Sequence, residues 1–222
     1  HKIWMHSHDK ITNGGRRMTE KQKMYMGILY RADDEHLIAE RNYAKGITKE
    51  YNQSHPDGKD YRSELMHKLF GELGEKAHIE APFYCNYGYR ISIGRNFFSN
   101  FNVTILDGGQ VTIGDNVYLA PNVGIYTASH PTDSRRRNLG YEWALPVVIG
   151  NNVWIGGNAS IMPGVTIGNN VTIGAGSVVT KDIPDNVVAA GNPCKVIRKV
   201  KEGDLNGLIN EKDGSQSIQQ RY

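Results

Sequence analysis

The sequence has little cysteine, no long apolar run and no block of one charge, and each absence removes a class of protein. Only Cys85 and Cys194 occur, without CxxC spacing, which leaves no disulfide framework and suits a reducing compartment. Both read as small buried residues. No stretch approaches the roughly 18 apolar residues of a membrane span, and no basic segment followed by an apolar run of signal type opens the chain. A cytoplasmic protein without a membrane partner is the expectation. The net charge is only +3 over 222 residues, with the basic residues scattered, so composition makes no case for nucleic acid. At 39% hydrophobic content the chain suits a soluble protein with one sizeable core or two modest ones.

What is present is periodic. Residues 1–17, with His1, His6 and His8 and the Gly14-Gly15 pair, are set aside as a tail. A metal site of these histidines is conceivable, because imidazole binds many metals, but a solvated tail is the favoured reading. Over residues 18–76 apolar side chains recur at helical spacing, as in Tyr61, Leu65, Met66, Leu69 and Phe70. The spacing predicts two or three short helices, broken near 32–35 and 54–58, where Pro56 and Gly58 interrupt it. From about Ala77 to residue 200 the period is six. Ile149, Ile155, Ile161, Ile167, Ile173 and Val179 follow it without exception, and Ile113, Leu119 and Ile125 keep the same phase. The phase slips by two at Gly108-Gly109, and the pattern is interrupted over about 131–148.

A period of six drifts off a helical stripe of 3.6 and is longer than the period of two of an ordinary strand, so the chain must turn a corner every six residues. Three corners close a triangular coil, with aliphatic residues inside and Gly, Asn or Asp at the corners. The reading is a mainly β protein, a parallel β-helix with an N-terminal helical cap and one excursion loop. Each coil buries its residues only against its neighbours, giving a rod with flat faces that invite a trimer. Residues 201–222 are polar and predict little order.

Within the coil His130 is the only histidine beyond Ile79, and it stands where the loop leaves, a loop long enough to be functional. Imidazole suits a general base because its unperturbed pKa is near ~6.5.

The run from 149 to 198, the segment "YTASHP" over 126–131, "FNVTILDGGQVTIGDNV" over 101–117 and the stretch 18–41 resemble the maltose and galactoside O-acetyltransferases. The resemblance covers 18 to about 201, and it supplies the left hand of the helix, which spacing does not. It implies acetyl-CoA as co-substrate with no metal, a small sugar as acceptor, a homotrimer with three clefts between protomers, and His130 as the base. The acceptor site it implies holds Asn86, Asn100, Asp107, Glu142 and Arg41, although Asn86, Asn100 and Asp107 are equally suited to corners of a coil. Either Asp33 or Asp34 takes over an acceptor role in the cap, or they only start a helix, the favoured reading. Positions matching the coenzyme A contacts are Gly157, Ala175, Thr180, Lys181, Lys195 and Arg198. Trp154 either walls the cleft or packs between subunits. Two places differ from the galactoside branch: Ala32, beside Asp33, and Gly108 stand where acids are found there. Rival readings are a γ-carbonic-anhydrase-like zinc enzyme, which needs three histidines where the coil holds only His78 and His130, a noncatalytic scaffold, and the same chemistry on an antibiotic, serine or oligosaccharide.

Overall fold

The computed structural model describes residues 12–13 and 16–203. The expectations for His1, His6 and His8 and for most of 201–222 lie outside the described residues. From Glu72 onward the backbone winds through three flat parallel sheets. Face A holds Glu72–Leu73, Ile91–Ile93, Val111–Ile113, Val147–Ile149 and Thr166–Ile167. Face B holds His78–Ile79, Phe98–Ser99, Tyr118–Leu119, Val153–Ile155, Val171–Ile173 and Val187–Ala190. Face C holds Phe83–Cys85, Val103–Leu106, Gly124–Tyr126, Ser160–Ile161 and Val178–Val179. This is the β-helix that the six-residue period predicts. Its first strand precedes Ala77, where the pattern becomes visible, because Leu73-Gly74 is in phase with Ile79 but is followed at once by charged residues.

The inward positions are filled as the period requires. Ile149, Ile155, Ile161, Ile167, Ile173 and Val179 are buried, and so are Val153, Ala159, Val165, Val171, Ser177 and Ile183, each four residues after one of them. Each fully buried aliphatic side chain stabilises the rod by about 1.5–3 kcal/mol. The corners explain the asparagines. Asn96, Asn102, Asn116, Asn122, Asn152, Asn158, Asn170 and Asn186 have φ between 54° and 61°, a left-handed conformation that asparagine tolerates better than other side chains. Stacked coils then link corner to corner: Asn96 Nδ2 donates to Asn116 Oδ1 at 2.8 Å, and Asn116 Nδ2 to Asn152 Oδ1 at 3.1 Å.

The cap closes one end of the rod. It comprises α1 (Glu20–Tyr25), α2 (Glu35–Gln53) and α3 (Lys59–Leu69). Thr19 opens α1 with a capping box to Gln22, and Asp34 caps α2 through the N–H groups of His36 and Leu37. The Asn52 carboxamide brackets Phe83, accepting its N–H at 2.9 Å and donating to its carbonyl at 3.0 Å. It thus occupies part of the sheet edge that the first strand of face C would otherwise expose. At the far end Lys195–Lys199 turns back antiparallel along Val187–Ala190.

Ile149 pairs with Ile167, one coil of eighteen residues on, but Ile113 pairs with Ile149, a further eighteen away. The extra residues leave the rod after Tyr126 as a hairpin, Ala128–Ser129 against Tyr141–Ala144, with the short helix α4 (Ser134–Arg137) at its tip. Gly109 gives the hairpin room: its N–H donates to Thr127 Oγ1 at 2.7 Å, and a Cβ there would come within 2.5 Å of the Leu145 carbonyl oxygen.

Candidate active site

The hairpin strand Tyr141–Ala144 pairs on its other side with Tyr30–Arg31 from the cap, so loop, cap and rod meet in one small antiparallel sheet. His130 follows its first strand. The ring Nδ1 lies 3.4 Å from the Tyr141 carbonyl oxygen and Nε2 lies 3.8 Å from Glu142 Oε1. A carbonyl only accepts, so the neutral tautomer that donates Nδ1–H to it keeps its Nε2 lone pair for another proton. The other carboxylate oxygen of Glu142 accepts a hydrogen bond from the Tyr30 hydroxyl at 3.0 Å. Tyr30 is fully buried, and burial together with the Glu142 charge holds its phenol well above the usual range. The His130 side chain remains half exposed on a groove of about 600 Å³ that Leu29, Ser129, Thr132, Arg136 and Trp143 also line.

Arg41 reaches this cluster from α2. Its Nη1 donates to the Tyr87 hydroxyl at 2.8 Å and its Nη2 to the Ala32 carbonyl at 2.6 Å, and its charge opposes the rise at Tyr30. Asp33 is exposed and forms a two-pronged ion pair with Arg31, while Asp34 serves the helix cap. Asp107, expected to face the acceptor, has no exposed surface. Its carboxylate accepts the backbone N–H groups of Asn86, Tyr87 and Gly88 at 2.7–2.9 Å. Burial pushes its pKa up and these three donors pull it back only in part. Asp107 therefore holds the bend before Gly88 instead of presenting oxygens to a ligand, and Asn86 sits on that bend. Asn100 is at the corner between faces B and C, where its side-chain oxygen accepts the Phe101 N–H at 2.8 Å.

The positions matched to coenzyme A fall on two edges of the rod. Gly157 and Ala175 stack at the corner between faces B and C, where the Gly157 carbonyl accepts the Gly176 N–H at 2.8 Å. Lys195 is exposed beside them, in register with Ala190, and Arg198 pairs with Val188 further along the same strand. Thr180 and Lys181 are exposed at the opposite edge, above the point where the hairpin leaves, because Ile125, Ile161 and Val179 stack in register. Trp154 is 47% exposed on face B, in register with Tyr118.

Sequence reasoning did not single out Tyr30, Tyr87 or Tyr141. Tyr30 stands 112 positions from the carboxylate that it binds, and no local spacing announces such a pair.

A coil of hexapeptides with a lone imidazole at the foot of a hairpin defines an acyltransferase of the hexapeptide-repeat class. Family models agree: that for bacterial transferase hexapeptides (six repeats) matches residues 146–181, and that for the maltose acetyltransferase hexapeptide capping motif matches residues 23–74. The galactoside O-acetyltransferase of Escherichia coli K12 is 48% identical over 187 residues, 84% of this chain and 92% of its own. A solved maltose O-acetyltransferase from Clostridium difficile 630 superposes with a TM-score of 0.82 at 53% identity, covering 84% of this chain and 100% of that one. A galactoside acetyltransferase in complex with coenzyme A gives 0.82 at 48% identity, covering 84% and 94%. The chain belongs to the maltose and galactoside O-acetyltransferase family of hexapeptide-repeat proteins.

Proposed function

We propose that the protein transfers the acetyl group of acetyl-CoA directly to a hydroxyl of a small sugar of the maltose, glucose or galactoside type, with His130 as general base. The observation that carries this is the His130 ring, set on the groove with Nδ1 facing the Tyr141 carbonyl and Nε2 beside Glu142. Nε2 takes the proton of the acceptor hydroxyl as its oxygen bonds to the thioester carbon. The carbon–sulfur bond then breaks, and the same proton passes from the imidazolium to the departing thiolate, leaving free coenzyme A and an O-acetyl sugar. A base so positioned contributes about 10²- to 10⁴-fold.

Glu142 serves the acceptor and the base together, since its carboxylate stands beside Nε2, where the hydroxyl must approach. Tyr30 fixes that carboxylate from behind. An acyl-enzyme has no support: Cys85 and Cys194 are buried and burial pushes both thiols up, the reverse of what a nucleophilic thiolate needs.

The two edges found for the coenzyme A positions support a cleft shared between copies. His130 with Thr180 and Lys181 of one chain would face Gly157, Ala175 and Lys195 of its neighbour, and a homotrimer closes three such clefts. The test is coenzyme A release over a panel of maltose, glucose, galactosides and chloramphenicol, for the protein and for His130→Ala. Turnover with a sugar that falls at least about a hundredfold in the variant is expected; unchanged turnover would sink the base. Turnover with chloramphenicol alone would move the acceptor from sugars to antibiotics.

A further inference from the structure

On another side of the cap, α1 and α2 flank an open surface hollow of about 350 Å³, which shares no residue with the His130 groove. Its walls are Lys21, Tyr25, Ala39, Glu40, Tyr43 and Tyr89. Tyr25 is 48% and Tyr43 65% exposed, so two aromatic rings of one hollow meet solvent. The polar groups between them are fixed. Glu40 takes Lys21 on one oxygen and accepts the Tyr89 hydroxyl on the other at 2.7 Å. The Lys21 ammonium lies 4.8 Å from the Tyr89 ring centroid and 5.7 Å from that of Tyr25.

The Tyr25 ring is not a loose surface aromatic. Arg90, only 8% exposed, packs its guanidinium carbon 4.1 Å from the ring centroid. Among the described residues the Arg90 Nε–H finds no acceptor. Burying an unmatched donor is costly, and here it is retained beneath a wall of the hollow. The charges of Lys21 and Glu40 are secured as well. Burial works against both, yet each holds the other ionised, with the Lys21 pKa above and the Glu40 pKa below their ordinary values.

This combination selects a ligand. Glu40 disfavours an anion, and Lys21 with Arg90 disfavours a cation. Aromatic faces attract the C–H face of a ring, while a fixed carboxylate and ammonium in the same hollow accept from and donate to a hydroxyl rim. The volume is at the low end of small-molecule sites, which span about 300–1,000 Å³. It suits one ring better than a chain.

We propose that the hollow walled by Lys21, Tyr25, Glu40, Tyr43 and Tyr89 is a second, noncatalytic carbohydrate subsite that takes one uncharged pyranose ring. The choice of a sugar rests on the acceptor class read above; the hollow itself does not depend on His130. The test uses full-length protein carrying 3-fluorotyrosine, with the resonances of Tyr25, Tyr43 and Tyr89 assigned by single Tyr→Phe variants. Methyl α-glucopyranoside or methyl β-galactopyranoside is titrated into this protein and into its Tyr43→Ala form. A saturable shift at Tyr25 and Tyr89 is expected, weakened about tenfold in Tyr43→Ala, with acetyl transfer to the same sugar unchanged. No saturable shift while transfer persists would overturn the subsite and leave the enzyme reading standing. An equal shift with glycerol would also overturn it, since no ring would then be needed. If the shift is present but no sugar is acetylated, the subsite stands and the acceptor class falls.

Discussion

The Glu142 carboxylate divides its oxygens between a buried phenol and an imidazole, and that division makes Tyr30 a positioning residue. Tyr30→Phe removes the donor and leaves the ring in place. Stability should fall by about 1 kcal/mol and turnover by about three- to tenfold, with the KM for acetyl-CoA unchanged, as read by steady-state coenzyme A release. Asp107 makes the opposite prediction. In Asp107→Asn one of the oxygens facing three backbone N–H groups becomes an NH₂, so donor meets donor. Unfolding by urea should show a loss of about 2–4 kcal/mol, and the protein that remains folded should keep its turnover; a loss confined to turnover would return Asp107 to the acceptor site. At this scale the sequence was legible only in part. His130 stood out because it is alone, but the carbonyl of Tyr141 and the phenol of Tyr30 come from other segments and carry no local mark.

Among the elements, the corners depend on backbone conformation more than on side-chain bonding. Asn152 has φ of 57° and receives the Asn116 amide. Asn152→Gly should be nearly neutral, whereas Asn152→Val, forced into the left-handed region, should cost about 1–2 kcal/mol; comparison of their urea midpoints decides the point. The cap offers a pH test through Lys21 and Glu40. The Glu40 pKa is lower in the folded protein, burial being outweighed by the bonds from Lys21 and Tyr89, so its contribution is in place above 4.5 and is lost as pH falls through the folded value. That of Lys21 is in place below 10.5 and is lost as pH rises through its raised value. Both side chains reach the surface, so the acid-side loss is under about 1 kcal/mol, and it should shrink in Lys21→Met when unfolding is followed against pH. The elements themselves were the most legible part. A period of six dictates corners, and asparagine at corners follows from the left-handed φ. The first strand, Glu72–Leu73, escaped notice because a single hexapeptide between a helix and charged residues shows no repeat.

Over the whole molecule, the edges that carry His130 and Gly157 are different edges of one rod, so in the proposed trimer neither chain of a mixed pair of variants needs to be whole. If each site draws its two halves from neighbouring chains of a trimer, as proposed, coexpression of His130→Ala with Gly157→Trp in equal amounts should restore about a quarter of the wild-type sites. Activity measured on the purified mixture tests this, and no recovery would place a complete site within one chain. In the sequence the proposed trimer rests on resemblance, because flat faces state that a partner is possible and not where it sits. The proposed acceptor site was the least legible feature, since it draws on a hairpin, a cap strand and a bend that meet only in three dimensions.

The hairpin leaves and re-enters the rod eighteen residues out of step, the length of one coil, so the lattice above and below it continues without a seam. The loop is therefore an exchangeable cassette. Its tip, with α4 and three arginines, can be rewritten while the scaffold that grips the acyl donor stays the same, and a single barrel of coils can serve a succession of different acceptors.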